Sequence, residues 1–117
     1  MTVLLVLVGG AVGAPARYLT DVLVQRLHGS AFPWGTWTVN VAGSFVLGLV
    51  ASAAPSWAVT LLGTGFCGAL TTFSTFGYET VRLAEEGEGA TAAANVVGSL
   101  TAGLAAAALG WWVGSAV

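Results

Sequence analysis

Gly65-Phe66-Cys67-Gly68-Ala69-Leu70-Thr71-Thr72-Phe73-Ser74-Thr75-Phe76-Gly77 follows a stretch that is apolar from Trp57 to Phe66, and its end is marked by Tyr78, Glu79 and Arg82. Glycines and a run of hydroxyls in the middle of a membrane-length hydrophobic segment read as a helix interrupted near the bilayer midplane, at and after Gly68. Backbone interrupted at that depth is tolerated only where it is buried in protein or lines a cavity. Carbonyls freed there can hold a cation. This stretch therefore predicts an all-α membrane protein whose third helix is broken.

The composition agrees with lipid as the main solvent. Hydrophobic residues make up 56% of the 117 and charged ones 7%, against roughly a quarter charged in a soluble domain. Crossing a hydrocarbon core of about 30 Å takes roughly 20 apolar residues per helix. Spans are expected at about 2–27, 33–54, 56–83 and 90–113, forming one transmembrane domain over 1–117. They nearly exhaust the chain, so no soluble catalytic domain fits and no enzymatic reaction is expected. Arg17, Arg26 and Arg82 are the basic residues, too few for a nucleic-acid surface or a polybasic lipid-binding segment. Cys67 is the single cysteine, which excludes an intrachain disulfide and a cysteine metal cluster and leaves it as a small apolar helix residue. The apolar N-terminal run has no basic residue before it and no evident cleavage site, so it reads as the first span and not as a removed signal peptide.

Punctuation between the spans is clear. His28 to Phe32 reads as a loop, Pro33 suits a first helical turn, and Trp34 and Trp37 suit an interface. Pro55 and Ser56 mark the next turn, with Ser56 as a candidate N-cap and Trp57 at the opposite interface. Glu85-Glu86-Gly87-Glu88-Gly89 is the aqueous loop before the last span, which closes on Trp111 and Trp112. Four spans put both termini on one side. All three arginines fall at the other side, beside the first and third loops, which the positive-inside rule places in the cytoplasm.

Packing between helices in lipid needs small residues, and 17 glycines supply many. Thr36, Asn40, Ser44 and Gly48 recur every four residues in the second span, as do Thr91, Asn95, Ser99 and Gly103 in the fourth. Each set forms one polar or small stripe along its helix. For single hydroxyls the ordinary reading is interhelical hydrogen bonding. Asn40 is sharper, because a primary amide near the centre of a span is costly without a partner or a polar pathway. Phe73 and Phe76 share a helix face and can turn the positive edges of their rings toward an anion; ordinary apolar packing is the alternative. No ionisable residue falls near the middle of a span, which argues against a carboxylate proton relay. An anion path would then use neutral donors that bind weakly enough for release.

These residues resemble the small four-helix fluoride channels of the Fluc or CrcB family. Gly9-Gly10-Ala11-Val12-Gly13-Ala14-Pro15-Ala16-Arg17-Tyr18 is similar to its first-helix motif, Gly35-Thr36-Trp37-Thr38-Val39-Asn40-Val41-Ala42-Gly43-Ser44-Phe45 to its second, and Gly65 through Phe76 to its third. The resemblance implies passive, fluoride-selective export across the plasma membrane through an antiparallel dual-topology dimer with two pathways. It implies that Asn40 lines the pore, that Phe73 and Phe76 meet the anion through their edges, and that Thr72, Ser74, Asn95 and Ser99 border the path. Arg17 is expected near the vestibule, and Glu79 matches the acidic residue after the third motif. A structural sodium ion at the dimer centre would be held by the Gly68 and Thr71 carbonyls of each protomer. Two departures stand out: Asn95 where the family often has tyrosine, and Ala69 where glycine is frequent.

Two rivals carry different chemistry. A small multidrug-type proton-coupled transporter has similar size and span count, but it needs a carboxylate within the first span, and only Asp21 near the helix end is available. A non-transporting structural subunit would suit the glycine-rich packing equally. Either a homodimer or a heterodimer with an oppositely oriented paralogue is compatible with the resemblance. The arginine asymmetry predicts a single insertion orientation and hence the second; glycosylation mapping that found both orientations populated would remove that expectation.

Overall fold

The computed structural model describes residues 1–29 and 32–116. Helix α1 spans Thr2–His28 and runs on through Pro15, a residue that costs one intrahelical bond but is tolerated in membrane helices whose neighbours re-satisfy the backbone. It ends at Gly29, whose N–H donates to the Gln25 carbonyl at 2.8 Å. His28, expected in a loop, is thus helical, and Ser30 and Ala31 of that expected loop lie outside the described residues.

Helix α2, Trp34–Ala53, starts directly after Pro33. Side chains of α1 serve its first turn: Gln25 accepts from the Gly35 N–H at 3.3 Å and donates to the Phe32 carbonyl at 3.2 Å. The next helix begins with Pro55 in extended conformation (φ −67°, ψ 164°) at the capping position. Ser56 is accordingly the first helical residue and not the N-cap, and its carbonyl accepts from the Thr60 hydroxyl at 3.1 Å.

From there the backbone changes winding several times. α3 (Ser56–Ala58) passes into a π-helical segment, Val59–Cys67, and then α4 (Gly68–Leu70). The wider winding shows in the Gly68 N–H, which reaches the Gly63 carbonyl five residues back. Thr71 is extended (φ −79°, ψ 157°), residues 71–73 are non-helical, and α5 resumes over Ser74–Glu85. A turn through Gly87 leads to α6, Gly89–Ala116. Thr2–His28, Trp34–Ala53, Ser56–Glu85 and Gly89–Ala116 are each long and apolar enough to cross a membrane. The 46 Å long axis matches a bilayer of about 40–45 Å with its headgroups.

Two close pairings organise the bundle. α1 lies against the π-helical segment, with Gly9 and Gly65 both buried there. α2 and α6 run parallel in intimate contact: Gly48 sits on the Ala107 carbonyl and Gly110 on the Phe45 carbonyl, so a β-carbon at either would collide with backbone. Apolar attraction between helices is weak in lipid, and such close approach supplies the dispersion contacts that replace it. Leu4, Leu7, Leu19 and Leu23 are exposed, as suits side chains facing hydrocarbon.

Gly48→Ala and Gly110→Ala are each expected to lower thermal stability in detergent by about 1–3 kcal/mol through overpacking. Gly77→Ala, whose added carbon meets open space, serves as the neutral reference. Melting midpoints equal to the reference for both would show that the close approach is not what holds α2 to α6.

Candidate functional site

The interruption at residues 71–73 removes peptide groups from their helical ladder, and one side chain takes up a whole peptide. Asn40 on α2 donates from Nδ2 to the Thr72 carbonyl at 3.0 Å and accepts the Thr72 N–H on Oδ1 at 2.8 Å. A carboxamide presents one donor and one acceptor side by side, the complement of a peptide edge. The Thr72 hydroxyl accepts the Thr75 N–H at 3.1 Å and so caps α5, while the Thr71 hydroxyl donates to the Cys67 carbonyl at 2.8 Å.

These bonds leave two carbonyls without their regular donors. In an unbroken helix the Thr72 amide would serve Gly68 and the Thr75 amide would serve Thr71. Both amides are diverted, the first to Asn40 and the second to the Thr72 hydroxyl. Gly68 and Thr71, the residues that the family resemblance implies as cation-holding carbonyls, are the two so affected.

An open groove of about 560 Å³ runs between α2, the broken third span and α6. Asn40, Thr72, Phe73, Phe76, Ser99 and the Gly68–Thr71 corner border its polar end; Leu47, Leu100, Leu104 and Ala107 make the rest apolar. Ser44 and Gly103 complete the meeting of the two stripes there, and Ser44 donates back to the Asn40 carbonyl at 2.7 Å. The rings of Phe73 and Phe76 lie 5.9 Å apart, tilted at 49°. Phe73 is 79% exposed in the single chain.

Four other residues named from the sequence stand off the groove wall. Asn95 is fully enclosed, donating to the Thr80 hydroxyl at 2.8 Å and accepting from Ser99 at 3.2 Å. Glu79 accepts a 2.6 Å bond from Thr36, one stripe position before Asn40. Ser74 is exposed, 3.5 Å from the Thr72 hydroxyl. Arg17 is half-buried one turn beyond Gly13, the α1 residue that packs on Phe66 and Ala69. Thr80 was missed in the sequence. Its signal was an i+4 step from Phe76, which puts its hydroxyl on the ring's face of α5; the hydroxyl donates to the Phe76 carbonyl at 2.8 Å.

Four apolar membrane-length spans, three of which border an open groove carrying neutral hydrogen-bonding groups, define a small multi-pass α-helical membrane protein. The family described as CrcB-like protein, Camphor Resistance (CrcB), matches residues 4–111, and the chain belongs to it. It is 58% identical over 120 residues to fluoride-specific ion channel FluC 1 of Frankia casuarinae, covering 94% of this chain and 93% of that one. It is 53% identical to the fluoride-specific ion channel FluC 1 of Streptomyces avermitilis, covering 100% of this chain and 98% of the relative. The FluC 1 channel of Thermobifida fusca is 46% identical, with 94% and 92% covered.

Asn40→Leu leaves both Thr72 backbone groups without their partner, at about 1–3 kcal/mol for each buried group left unsatisfied. The expected outcome is a lower melting midpoint in detergent together with faster hydrogen exchange at the Thr72 amide. Wild-type exchange at that amide in Asn40→Leu would show that the carboxamide does not hold it.

Proposed function

We propose that this chain is a fluoride-selective channel of the plasma membrane, through which the anion leaves the cell down its electrochemical gradient. No reaction is catalysed. The observation that carries the reading is the groove: hydroxyls, an amide and two phenylalanine rings gathered along one wall with no ionised side chain on it, in a chain 58% identical to a relative named a fluoride-specific channel. A fixed cation would hold a small anion too tightly for release, whereas neutral donors and ring edges bind it weakly enough to pass it on.

In this reading Asn40, Thr72 and Ser99 border the path, Ser74 stands beside Thr72 and Asn95 behind Ser99, Phe73 and Phe76 offer their edges, and Arg17 and Glu79 stand toward its mouth. The residue 71–73 interruption lies near the bilayer midplane. Exposure of Phe73 on a single chain and the openness of the groove support completion by a second, antiparallel subunit, either a second copy or an oppositely oriented relative. The Gly68 and Thr71 carbonyls fit a structural sodium ion at the centre of such a dimer, because their helical donors are diverted and carbonyl oxygens suit a hard cation. Bound there, sodium would hold the two third spans together through those carbonyls.

Fluoride efflux from liposomes containing only this purified chain tests the reading, with a potassium ionophore to carry compensating charge and chloride as the control anion. Fast fluoride release with negligible chloride release is expected, and Phe73→Ile and Phe76→Ile, which keep apolar volume and remove the ring edges, should abolish it while assembly persists. Equal release of the two anions would overturn selectivity, and unchanged flux in both variants would overturn the role of the rings. Release that appears only when an oppositely oriented relative is added would assign the heterodimer.

A further inference from the structure

We infer that Thr80 and Asn95 are positioning residues for anion passage, forming a hydrogen-bond relay that decides whether the Ser99 hydroxyl can offer its proton to the groove. The inference rests on the channel reading above, since it concerns what Ser99 presents to an anion.

Four groups on two helices are joined in series. Ser99 donates to Asn95 Oδ1 at 3.2 Å, Asn95 Nδ2 donates to Thr80 Oγ1 at 2.8 Å, and Thr80 Oγ1 donates to the Phe76 carbonyl at 2.8 Å. Each hydroxyl owns one proton, so the whole relay has a single direction, from the groove toward Phe76. Ser99, at the groove wall, has then committed its proton inward and faces the groove with lone pairs alone. That arrangement repels an anion.

The polarity is reversible at one point. A carboxamide turned by a half-rotation occupies the same volume with donor and acceptor exchanged. Asn95 Nδ2 would then donate to Ser99, Thr80 would give its proton to Asn95 Oδ1, and the Ser99 proton would be released to the groove. No covalent bond changes, and the Phe76 carbonyl keeps the Thr80 backbone amide as its helical donor. Arrival of an anion favours the second direction and its departure the first. Asn95 is 0% exposed and stands behind Ser99, so it acts through Ser99 without touching the ion. Thr80 is required because, like Ser99 at the other end of the amide, it can accept in one direction and donate in the other.

The test is fluoride flux from liposomes as a function of fluoride concentration, for wild type, Thr80→Val, Thr80→Ser, Ser99→Ala and the double variant Thr80→Val/Ser99→Ala. Valine keeps the volume of threonine and removes the hydroxyl, so the half-saturating fluoride concentration should rise by about threefold to tenfold, the worth of one neutral hydrogen bond. Thr80→Ser should restore the wild-type value. The double variant should be no worse than Ser99→Ala alone, because residues that act in series are not additive. A wild-type half-saturation in Thr80→Val, or additive effects in the double variant, would overturn the relay. Thr80→Ala gives the same comparison where the valine variant does not assemble. A wild-type protein that passes no fluoride would overturn the channel reading, and the relay with it, a result distinct from normal flux that Thr80→Val leaves unaltered.

Discussion

A peptide group lifted out of its helix in a medium without water has to find both a donor and an acceptor, and Asn40 provides the two together for Thr72. Much of the site follows from that contact. It lets the third span leave helical geometry at Thr71 and re-enter it at Ser74, with the Thr72 hydroxyl as the cap of the new helix. It diverts the amide that would otherwise cover the Gly68 carbonyl, while the Thr72 hydroxyl takes the one that would cover Thr71. It also holds Phe73 and Phe76 at the start of α5, beside the groove. An apolar residue at position 40 would leave the peptide unpaired, and the interruption would lose its main compensation.

Small residues decide how near the other walls can come. Gly48 and Gly110 set α2 and α6 at backbone contact distance, and the parallel course of these helices brings Asn40 and Ser44 opposite Ser99 and Gly103. The groove is polar only where these stripes meet the interruption. Elsewhere its lining is mostly apolar, with Leu47, Leu100, Leu104 and Ala107 beside Gly63, Thr64 and Cys67. In the proposed channel reading, each neutral donor in such surroundings would act more strongly on an anion than it does in water.

Much of this architecture was readable from residue order. Four membrane-length apolar segments and the two stripes of small and polar residues are local or periodic signals. Winding and pairing were less accessible. Nothing in Val59–Cys67 distinguishes a π-helical course from an α-helical one, because the difference arises from how the backbone packs against α1. Ser56 has the right chemistry for a cap, yet Pro55 takes the position because its fixed φ and missing N–H suit the residue just outside the helix. Asn95 carried the same stripe signal as Ser99, although one faces the groove and the other is enclosed behind it; a period of four cannot separate two residues whose difference is depth.

Hydropathy, periodicity and side-chain chemistry along one chain settle the solvent, the number of spans and the kinds of group available to an ion. Only the tertiary structure decided which group serves which. Whether the Asn40 amide meets a peptide, whether Glu79 meets Thr36, and whether Asn95 reaches Thr80 depend on the rotation and spacing of helices up to 43 residues apart in the chain. Hydrogen bonds select partners over about 3 Å, a distance that small-residue packing sets and that no pattern along the chain records.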